Sequence, residues 1–306
     1  MNVISARNAT DAFLEAVTLV LTRGRQVAPR GLASLEVVAV SITVDNPVDR
    51  LVWATGRVIN PAFAVAESVW VLSGDDEPWV AEYNSHLRQY MDEGRLHGAY
   101  GPRIRRWSGH HDQLATVIRR LEGDQATRQA AIQIWDPVAD SQCTRDVPCT
   151  ISHRFLLRDG RLSLHTTMRS QDAWLGLPYD LYTNSVLLEL LAGWVGAEAG
   201  TCYHTIDSLH LYEPDLTAAR SAGPADDPQP RPGDRHFVTF DKMAGVLDDV
   251  RQCRFDALCG AWRDDALALA SYRLWQRGAR SRARELAMMC EGPLRQHLHR
   301  WYGRRR

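Results

Sequence analysis

Lysine is almost absent from this sequence. Of its 36 Lys and Arg residues only Lys242 is a lysine, which leaves 35 arginines among 306 residues. This bias is typical of a GC-rich genome, although arginine also suits bidentate recognition of phosphate. The formal net charge is -1, so no overall basic field indicates a nucleic acid partner. Each arginine must therefore be interpreted from its position.

Cysteine pairs, a leader pattern and long apolar runs are absent as well. The six cysteines are irregularly spaced and form no CxxC pair, which favours neither a zinc ribbon nor a disulfide framework. No basic-then-apolar pattern indicates a secretory leader, and no apolar run reaches the roughly 18 residues of a membrane span. We expect a soluble protein without a membrane partner in a reducing compartment, which is the cytoplasm.

Hydrophobic periodicity predicts helices mixed with strands. The predicted helices cover 10–22, 62–72, 79–92, 112–122, 181–195 and 243–303, and the predicted strands cover 35–44, 130–135, 151–158, 161–168 and 201–212. Asp159-Gly160 tolerates the positive φ of a type I′ turn and therefore predicts a hairpin. Residues 217–235 are rich in Ala, Pro, Asp and Gly and predict a surface loop. Because the elements follow no strict βαβ rhythm, the predicted class is α+β.

Cys149 follows Val147-Pro148 at the mouth of a predicted strand. A lone cysteine is usually a small buried hydrophobe, and a thiolate nucleophile needs cationic neighbours that lower its pKa. The predicted hairpin returns the chain to this point at Arg169, which can supply that charge or can be a surface residue at a strand end. Asp180 ends a Gly- and Pro-containing turn before the next predicted helix. It is either a helix cap or a carboxylate that reads the edge of a ligand.

These motifs occur in an order that resembles the thymidylate synthase family. The matching segments are Pro29-Arg30-Gly31, the Glu67–Leu72 helix, Tyr100-Gly101, Thr127-Arg128, 132–137, Pro148-Cys149, RSxD at 169–172, LGLPYD at 175–180 and HLY at 210–212. The resemblance covers roughly residues 10–213. It implies one domain over 1–306 whose mixed sheet is packed with helices. A loop at 214–235 and an extra helical C-terminal region at 236–306 would follow this core.

The resemblance also implies a reaction. Cys149 would add to C6 of a pyrimidine nucleotide, and C5 would then attack the methylene of 5,10-methylenetetrahydrofolate, which is the co-substrate, without a metal. Glu67 resembles the glutamate that organises water and moves protons. The alternative role of Glu67 is a solvated charge on the face of a helix. Its position in an otherwise apolar stretch disfavours that alternative. Tyr100 resembles the tyrosine near the nucleophile.

The remaining implied roles concern binding. By resemblance, the phosphate ligands are Arg30, Arg169 and Ser170, the sugar ligands are His210 and Tyr212, and the residues on the folate side are Asp172, Gly176 and Tyr179. Arg128 resembles the arginine that reaches the phosphate of the partner subunit, so the resemblance implies a homodimer. No nucleic acid partner is expected.

The departure that bears most on the substrate is Asp180, which stands where the family has asparagine. Uracil presents an N3–H donor and an O4 acceptor, and an amide matches both, whereas an ionised carboxylate only accepts. Cytosine presents an amino donor and the N3 acceptor, so a carboxylate that shares a proton with N3 matches it. An unmatched buried polar pair costs about 1–3 kcal/mol, enough to change the preferred base. Aspartate is also the hallmark of the family's cytidylate hydroxymethylase branch, so we expect a cytosine nucleotide.

Water rather than hydride is expected to complete the product. In the family an aromatic wall shields the reactive methylene, but residues 84–101 contain no tryptophan, which favours water access and a hydroxymethyl group. The combined pattern resembles the CMP 5-hydroxymethylases of nucleoside-antibiotic pathways such as mildiomycin biosynthesis. CMP is preferred over dCMP on that analogy alone. Thr150 replaces a family histidine, and Gln129 replaces a family arginine and is expected to lose one phosphate contact.

Three other kinds of interpretation are compatible with parts of this pattern. A dCMP hydroxymethylase or a thymidylate synthase acting on dUMP is the nearest of them. A non-catalytic nucleotide- or RNA-binding paralogue would be expected to lack Cys149 or Glu67, and both are present. Cys143, Cys149 and His153 could be metal ligands, but their spacing is unlike that of common zinc sites.

Overall fold

The computed structural model describes residues 2–142, 144–225 and 238–304. The strands in this part of the chain are β1 (Asn2–Ala6), β2 (Arg25–Val27), β3 (Ser34–Val44), β4 (Ala54–Thr55), β5 (Ala131–Gln133), β6 (Thr150–Arg158), β7 (Arg161–Met168), β8 (Gln171–Asp172), β9 (Glu198–Tyr212) and β10 (Gly223–Pro224). The α-helices are α1 (Ala9–Arg23), α2 (Pro61–Ser73), α3 (Tyr100–Arg105), α4 (Gln113–Gly123), α5 (Leu177–Trp194), α6 (Leu216–Arg220), α7 (Phe240–Arg251), α8 (Gly260–Gln276), α9 (Arg280–Met289) and α10 (Pro293–Gly303). Short 3-10 turns occupy Pro29–Gly31, Pro78–Glu82, Ser85–Tyr90, Glu213–Asp215 and Phe255–Ala257.

One mixed sheet organises the described residues. Its order is β1-β3-β9-β7-β6-β5, with β2 added to β3 and β8 added to β9. The pairs β1–β3 and β7–β9 are parallel, whereas β3–β9, β6–β7 and β5–β6 are antiparallel. Strands of both senses packed with helices confirm the α+β prediction.

Local sequence explains the hairpin and several helix starts. Asp159 and Gly160 have φ values of 50° and 72°, the conformation that the dipeptide was expected to adopt between β6 and β7. Asn8, Asn60 and Asp112 each accept a hydrogen bond from the backbone N–H three residues later, at 3.0, 3.3 and 3.0 Å. These side chains satisfy one of the free donors at the start of α1, α2 and α4.

Two predicted elements are wrong. Residues 79–92 form two short 3-10 turns rather than one helix, because Asn84 interrupts the segment and its side chain accepts from the His86 N–H at 3.3 Å. The predicted loop at 217–235 contains most of α6 as well as β10, which pairs with β4. Residues 226–235 of that prediction lie outside the described residues.

Helix α2 is enclosed by other helices. It packs against α5 and also against α7, α8 and α10 of the C-terminal region. The hydroxyl of Tyr272 on α8 donates to the Tyr83 carbonyl at 3.2 Å, and Arg251 on α7 pairs with Asp75 at 2.7 Å just after α2. The C-terminal helices therefore cover the element that carries Glu67. Among the described residues, no helix has the length and apolarity to cross a membrane.

Candidate active site

Cys149 lies immediately before β6, and the hairpin brings Arg169 beside it. The Arg169 backbone N–H donates to the Cys149 carbonyl at 2.9 Å. The guanidinium of Arg169 donates from Nε to the Pro148 carbonyl and from Nη2 to the Val147 carbonyl, both at 2.8 Å. Its carbon Cζ also lies 5.8 Å from the centre of the Trp135 ring. Arg169 thus holds the loop that presents the thiol, as the hairpin predicted.

The surroundings of Cys149 do not activate its thiol. Burial raises the pKa of Cys149 to about 11; the positive charge of Arg169 lowers this pKa and the carboxylate of Asp180 raises it. Asp146 also raises the pKa of Cys149, and Arg30 also lowers it. Cationic neighbours therefore only partly offset desolvation, and Cys149 is a neutral thiol near pH 7.

Tyr100 begins α3 and contacts the first residue of β6. Its hydroxyl accepts a hydrogen bond from the Thr150 backbone N–H at 3.2 Å. Burial, followed by the charges of Cys149 and Asp180, raises the pKa of Tyr100, so the phenol stays neutral. Thr150 itself is buried, so a small side chain occupies the place of the histidine expected beside the nucleophile.

Glu67 lies on α2 and Asp180 on the first turn of α5, and the charge of Asp180 affects the ionisation of Glu67. Burial and then the charge of Asp180 raise the pKa of Glu67 to about 8, and the nearby Thr183 side chain acts in the opposite direction. Burial raises the pKa of Asp180 to about 6, against a hydrogen bond from Gln171 that lowers it. The two carboxyl groups therefore ionise at different pH values, and near pH 7 the pair does not carry two full charges.

Asp180 is not the cap of its helix. The N-cap position of α5 belongs to Gly176, whose carbonyl accepts from the Asp180 N–H at 3.1 Å. The Asp180 side chain instead accepts from Gln171 Nε2 at 2.8 Å. This geometry excludes the helix-cap role of Asp180 and shows that its carboxyl group is hydrogen-bonded to Gln171 instead.

The end of β9 carries a second part of the site. Asp172 on β8 is paired in register with His210, and the rings of His210 and Tyr212 are 4.9 Å apart and nearly perpendicular. Arg30 has a positive φ of 54° and is exposed in its 3-10 turn. Burial raises the pKa of the Tyr212 phenol, and the charge of Arg30 lowers it, as it also lowers the pKa of Cys149. Arg30 thus lies near both Tyr212 and the Cys149 thiol.

The turn from Asp172 to Tyr179 forms another wall of the site. Asp172 accepts from the backbone N–H groups of Trp174 and Leu175 at 2.8 and 2.9 Å, which fixes the turn. The Tyr179 hydroxyl accepts from the Asn60 N–H at 3.0 Å, and this bond joins the turn to the start of α2. Burial raises the pKa of both Asp172 and Tyr179.

Sequence reasoning missed three residues that the structure brings to this region: Asn60, Arg57 and Gln171. Arg57 donates from Nη2 to the Trp174 carbonyl at 3.0 Å and lies over the Trp174 ring at 5.0 Å. Its Nε is buried without a hydrogen-bond partner among the described residues. Gln171 occupies the unspecified position x of the RSxD motif. Its place between two predicted site residues, Ser170 and Asp172, was the signal that could have identified it. Asn60 could have been found as a helix cap, but not as a partner of Tyr179.

Some predicted site residues are not brought into this cluster. Arg128 is exposed before the edge strand β5, and no contact with the other predicted site residues is present in the described structure. Ser170 adjoins Arg169 but makes no side-chain hydrogen bond within the described residues. Gln129 accepts from Arg120.

The metal-binding hypothesis required Cys143, which lies outside the described residues. Within those residues, no three His, Cys, Asp or Glu side chains are grouped so as to hold a metal ion.

Comparison with known proteins gives a family match and two similar phage proteins. Residues 11–232 match the family described as Thymidylate synthase. A protein of Bacillus phage SP01 named deoxyuridylate hydroxymethyltransferase is 36% identical over 232 residues, which cover 71% of this chain and 61% of the phage protein. A protein of the same name from Pseudomonas phage M6 is 33% identical over 221 residues, covering 70% and 62% respectively. The chain thus spans about three fifths of the length of each relative.

We predict that Glu67→Gln stabilises the fold in a pH-dependent manner. Burial raises the pKa of Glu67 from 4.5 to about 8, so between these values the folded chain retains a proton that the unfolded chain has lost. The stability of the native protein therefore falls as pH rises through this window, and glutamine removes that loss. The variant should be more stable by roughly 2–4 kcal/mol at pH 8 and nearly unchanged at pH 4.

Urea unfolding at a series of pH values measures the difference. Glu122→Gln on the exposed side of α4 is the matched control and should show no such trend. A constant difference between Glu67→Gln and the native chain from pH 4 to 8 would contradict the proposed desolvation of Glu67.

Proposed function

Because the chain belongs to the thymidylate synthase family, we propose that it transfers a one-carbon unit from 5,10-methylenetetrahydrofolate to C5 of a cytosine nucleotide. Water completes the product as 5-hydroxymethylcytidylate, and CMP is the preferred nucleotide. The observation that carries the proposal is the desolvated group of Cys149, Glu67 and Asp180, whose ionisations are coupled. Such a group combines a nucleophile with two carboxyls that exchange protons near neutral pH.

Cys149 is the proposed nucleophile. Its sulfur bonds to C6 of the base as the thiol proton passes to water, and the π-electron pair of the C5–C6 double bond moves to C5. Because the thiol has a pKa of about 11, bond formation and proton loss must be coupled to nucleotide binding. Arg169 supports this step by holding the Val147 and Pro148 carbonyls and by its charge near sulfur.

Asp180 is proposed to read the base. With a pKa of about 6 it can share a proton with N3 of cytosine and accept from the exocyclic amino group. Protonation at N3 withdraws electrons from the ring and favours addition at C6. Glu67, whose pKa is about 8, is proposed to deliver and remove protons through water in the same site. Tyr100 contributes a neutral hydroxyl beside the nucleophile.

The phosphate and sugar are assigned to the second part of the site. Arg30 and Arg169 supply positive charge, Ser170 supplies a hydroxyl, and His210 and Tyr212 bind the sugar. The proximity of Arg30 to both Tyr212 and Cys149 supports this arrangement, because a nucleotide must span the same interval.

The folate side is assigned to Asp172, Gly176 and Tyr179. The unpaired and buried Nε of Arg57 in this wall of the described structure fits a ligand that carries a carboxylate, as folate does. When bound, 5,10-methylenetetrahydrofolate supplies a methylene at the oxidation level of formaldehyde. The turn fixed by Asp172 and the Tyr179–Asn60 bond orient this wall relative to α2.

Two observations support water as the final nucleophile. The named phage relatives are hydroxymethyltransferases. In this chain, Trp79 is the last tryptophan before Tyr100. Its indole N–H donates to Asp75 at 2.8 Å, and the guanidinium carbon of Arg251 lies 5.2 Å from the centre of its ring. Trp79 is thus engaged with the C-terminal region. Addition of water balances the reaction, since nucleotide, methylenetetrahydrofolate and water give hydroxymethylnucleotide and tetrahydrofolate.

A second candidate is hydroxymethylation of deoxyuridylate. The names of both phage relatives favour it. Asp180 favours cytosine instead, because an ionised carboxylate leaves the O4 acceptor of uracil unmatched. The identity of the nucleotide consumed and the mass added to it distinguish both candidates from a dCMP hydroxymethylase and from a thymidylate synthase that forms a methyl group.

The first prediction concerns the product. CMP, dCMP and dUMP are incubated separately with the chain and methylenetetrahydrofolate, and CMP should give the most tetrahydrofolate and a product that is heavier than CMP by one CH2O unit. A gain of one CH2 unit would indicate a methyl group instead.

Cys149→Ala should abolish turnover but retain nucleotide binding, and surviving activity would remove Cys149 from its proposed role.

The second prediction concerns the base. Asp180→Asn should shift the ratio of kcat/KM from cytosine towards uracil nucleotides by about tenfold or more, because an amide matches N3–H and O4. Loss of the carboxylate should also speed alkylation of Cys149 at pH 8, because Asp180 raises the thiol pKa. Asp124→Asn, which keeps its bond to the Ala126 N–H, is the control. Unchanged selectivity would show that the base is read elsewhere.

The third prediction concerns the proposed homodimer, in which Arg128 acts on the partner's nucleotide. The outer face of the sheet supports such a dimer, since Val38 is 61% exposed there and His165 stacks on Tyr203 at 4.5 Å. Mixing inactive Arg128→Ala and Cys149→Ala subunits should restore about a quarter of native activity, because half of the randomly formed dimers would contain one intact site. No recovery after verified subunit exchange would mean that Arg128 acts within its own chain, and an active Arg128→Ala variant would mean that Arg128 has no role in the reaction.

A further inference from the structure

Gln171 is a buried polar side chain in direct contact with Asp180. It lies on β8 and is 2% exposed, and its Nε2 donates to Asp180 Oδ2 at 2.8 Å. A β-carbon added to Gly176 would lie 2.8 Å from the same nitrogen, so this glycine leaves the room that the amide occupies. Gln171 is therefore fitted to one oxygen of the Asp180 carboxyl.

The amide oxygen of Gln171 is the second informative atom of this side chain. Oε1 of Gln171 is buried and has no hydrogen-bond partner among the described residues. An unpaired buried acceptor is unfavourable, so an apolar residue of similar size would suit a purely structural position better. Nε2 also donates to the Asp172 carbonyl at 3.4 Å, so its two hydrogen bonds, of which the one to Asp180 is the shorter, distinguish glutamine from such a residue.

This contact matters because a carboxyl group with one proton can match either pyrimidine. It has one donor oxygen and one acceptor oxygen. Cytosine needs the donor at N3 and the acceptor at its amino group, whereas uracil needs the acceptor at N3 and the donor at O4. The bases are therefore distinguished by which of the two oxygens carries the proton. An oxygen that already accepts from an amide N–H is the one that stays unprotonated.

We propose that Gln171 is a specificity-determining residue, which keeps Asp180 Oδ2 as the acceptor and confines the shared proton to Oδ1. The inference rests on the proposed function and adds to it that Oδ1 faces N3 and Oδ2 faces the amino group of cytosine. Oδ2 accepts from both Nε2 and the base, as a carboxylate oxygen can. Gln171 thus acts on the nucleotide through Asp180 and is a positioning residue.

A pH effect accompanies this arrangement. The Gln171 bond lowers the pKa of Asp180, while burial and the charge of Asp172 raise it. The other titratable groups coupled to Asp180 are Glu67, Cys149 and Tyr100. With these unchanged, loss of the amide donor leaves burial and Asp172 unopposed and moves the titration of Asp180 to higher pH.

The test is Gln171→Met, which keeps the length of the side chain and removes the amide. Dissociation constants for CMP and UMP are measured by titration calorimetry from pH 5.5 to 8.5. The native chain should prefer CMP, and the variant should lose roughly tenfold of that preference because either carboxyl oxygen can then carry the proton. The pH dependence of CMP binding should move to higher pH. Gln252→Met at the exposed end of α7 is the control and should change neither quantity.

Gln171→Glu provides a second arm that keeps size and polarity, and thermal unfolding verifies that each variant is folded. The new side chain places a second carboxyl beside Asp180, and repulsion between the two groups should move the pH dependence of CMP binding upward. Retained CMP preference in folded Gln171→Met, or a native chain that binds both nucleotides equally, overturns the inference. A native chain that prefers CMP through Gln171 yet transfers no one-carbon unit refutes the proposed reaction alone.

Discussion

Desolvation of two carboxyl groups at one site is the constraint on which the rest of this structure depends. Glu67 and Asp180 lie on different helices; burial and the charge of Asp180 raise the pKa of Glu67 to about 8, and burial raises the pKa of Asp180 to about 6. A fold optimised only for stability would place neutral side chains here. Two desolvated acids beside a cysteine that burial keeps neutral are the arrangement that the proposed reaction uses.

The sequence could predict the parts of the molecule that depend on local preferences. Asp159-Gly160 specified a hairpin, and the hairpin in turn placed Arg169 beside Cys149. The order of the motifs indicated the family, and the family match over 11–232 confirms it. These inferences needed only turn chemistry, periodicity and motif order.

Contacts between distant segments could not be predicted in the same way. The bond from Asn60 to Tyr179 and the bond from Gln171 to Asp180 depend on how α2, β8 and α5 pack. The direction of the Cys149 pKa shift was also unexpected, because it depends on how much water the fold removes from the thiol. Likewise, periodicity at 79–92 resembled a helix, whereas Asn84 formed a local turn instead. Each of these features results from tertiary burial or side-chain competition, to which residue spacing is insensitive.

The bond between Thr150 and Tyr100 gives the site a constant element. The phenol oxygen is occupied as an acceptor by a backbone N–H, so the hydroxyl hydrogen is directed away from that bond. Because burial raises the pKa of Tyr100 above any physiological value, this hydrogen persists over the whole range in which the carboxyls titrate. A change of pH can therefore alter the charge of the carboxyl groups in this region. The Tyr100 hydroxyl remains a neutral donor that the main chain holds in one position.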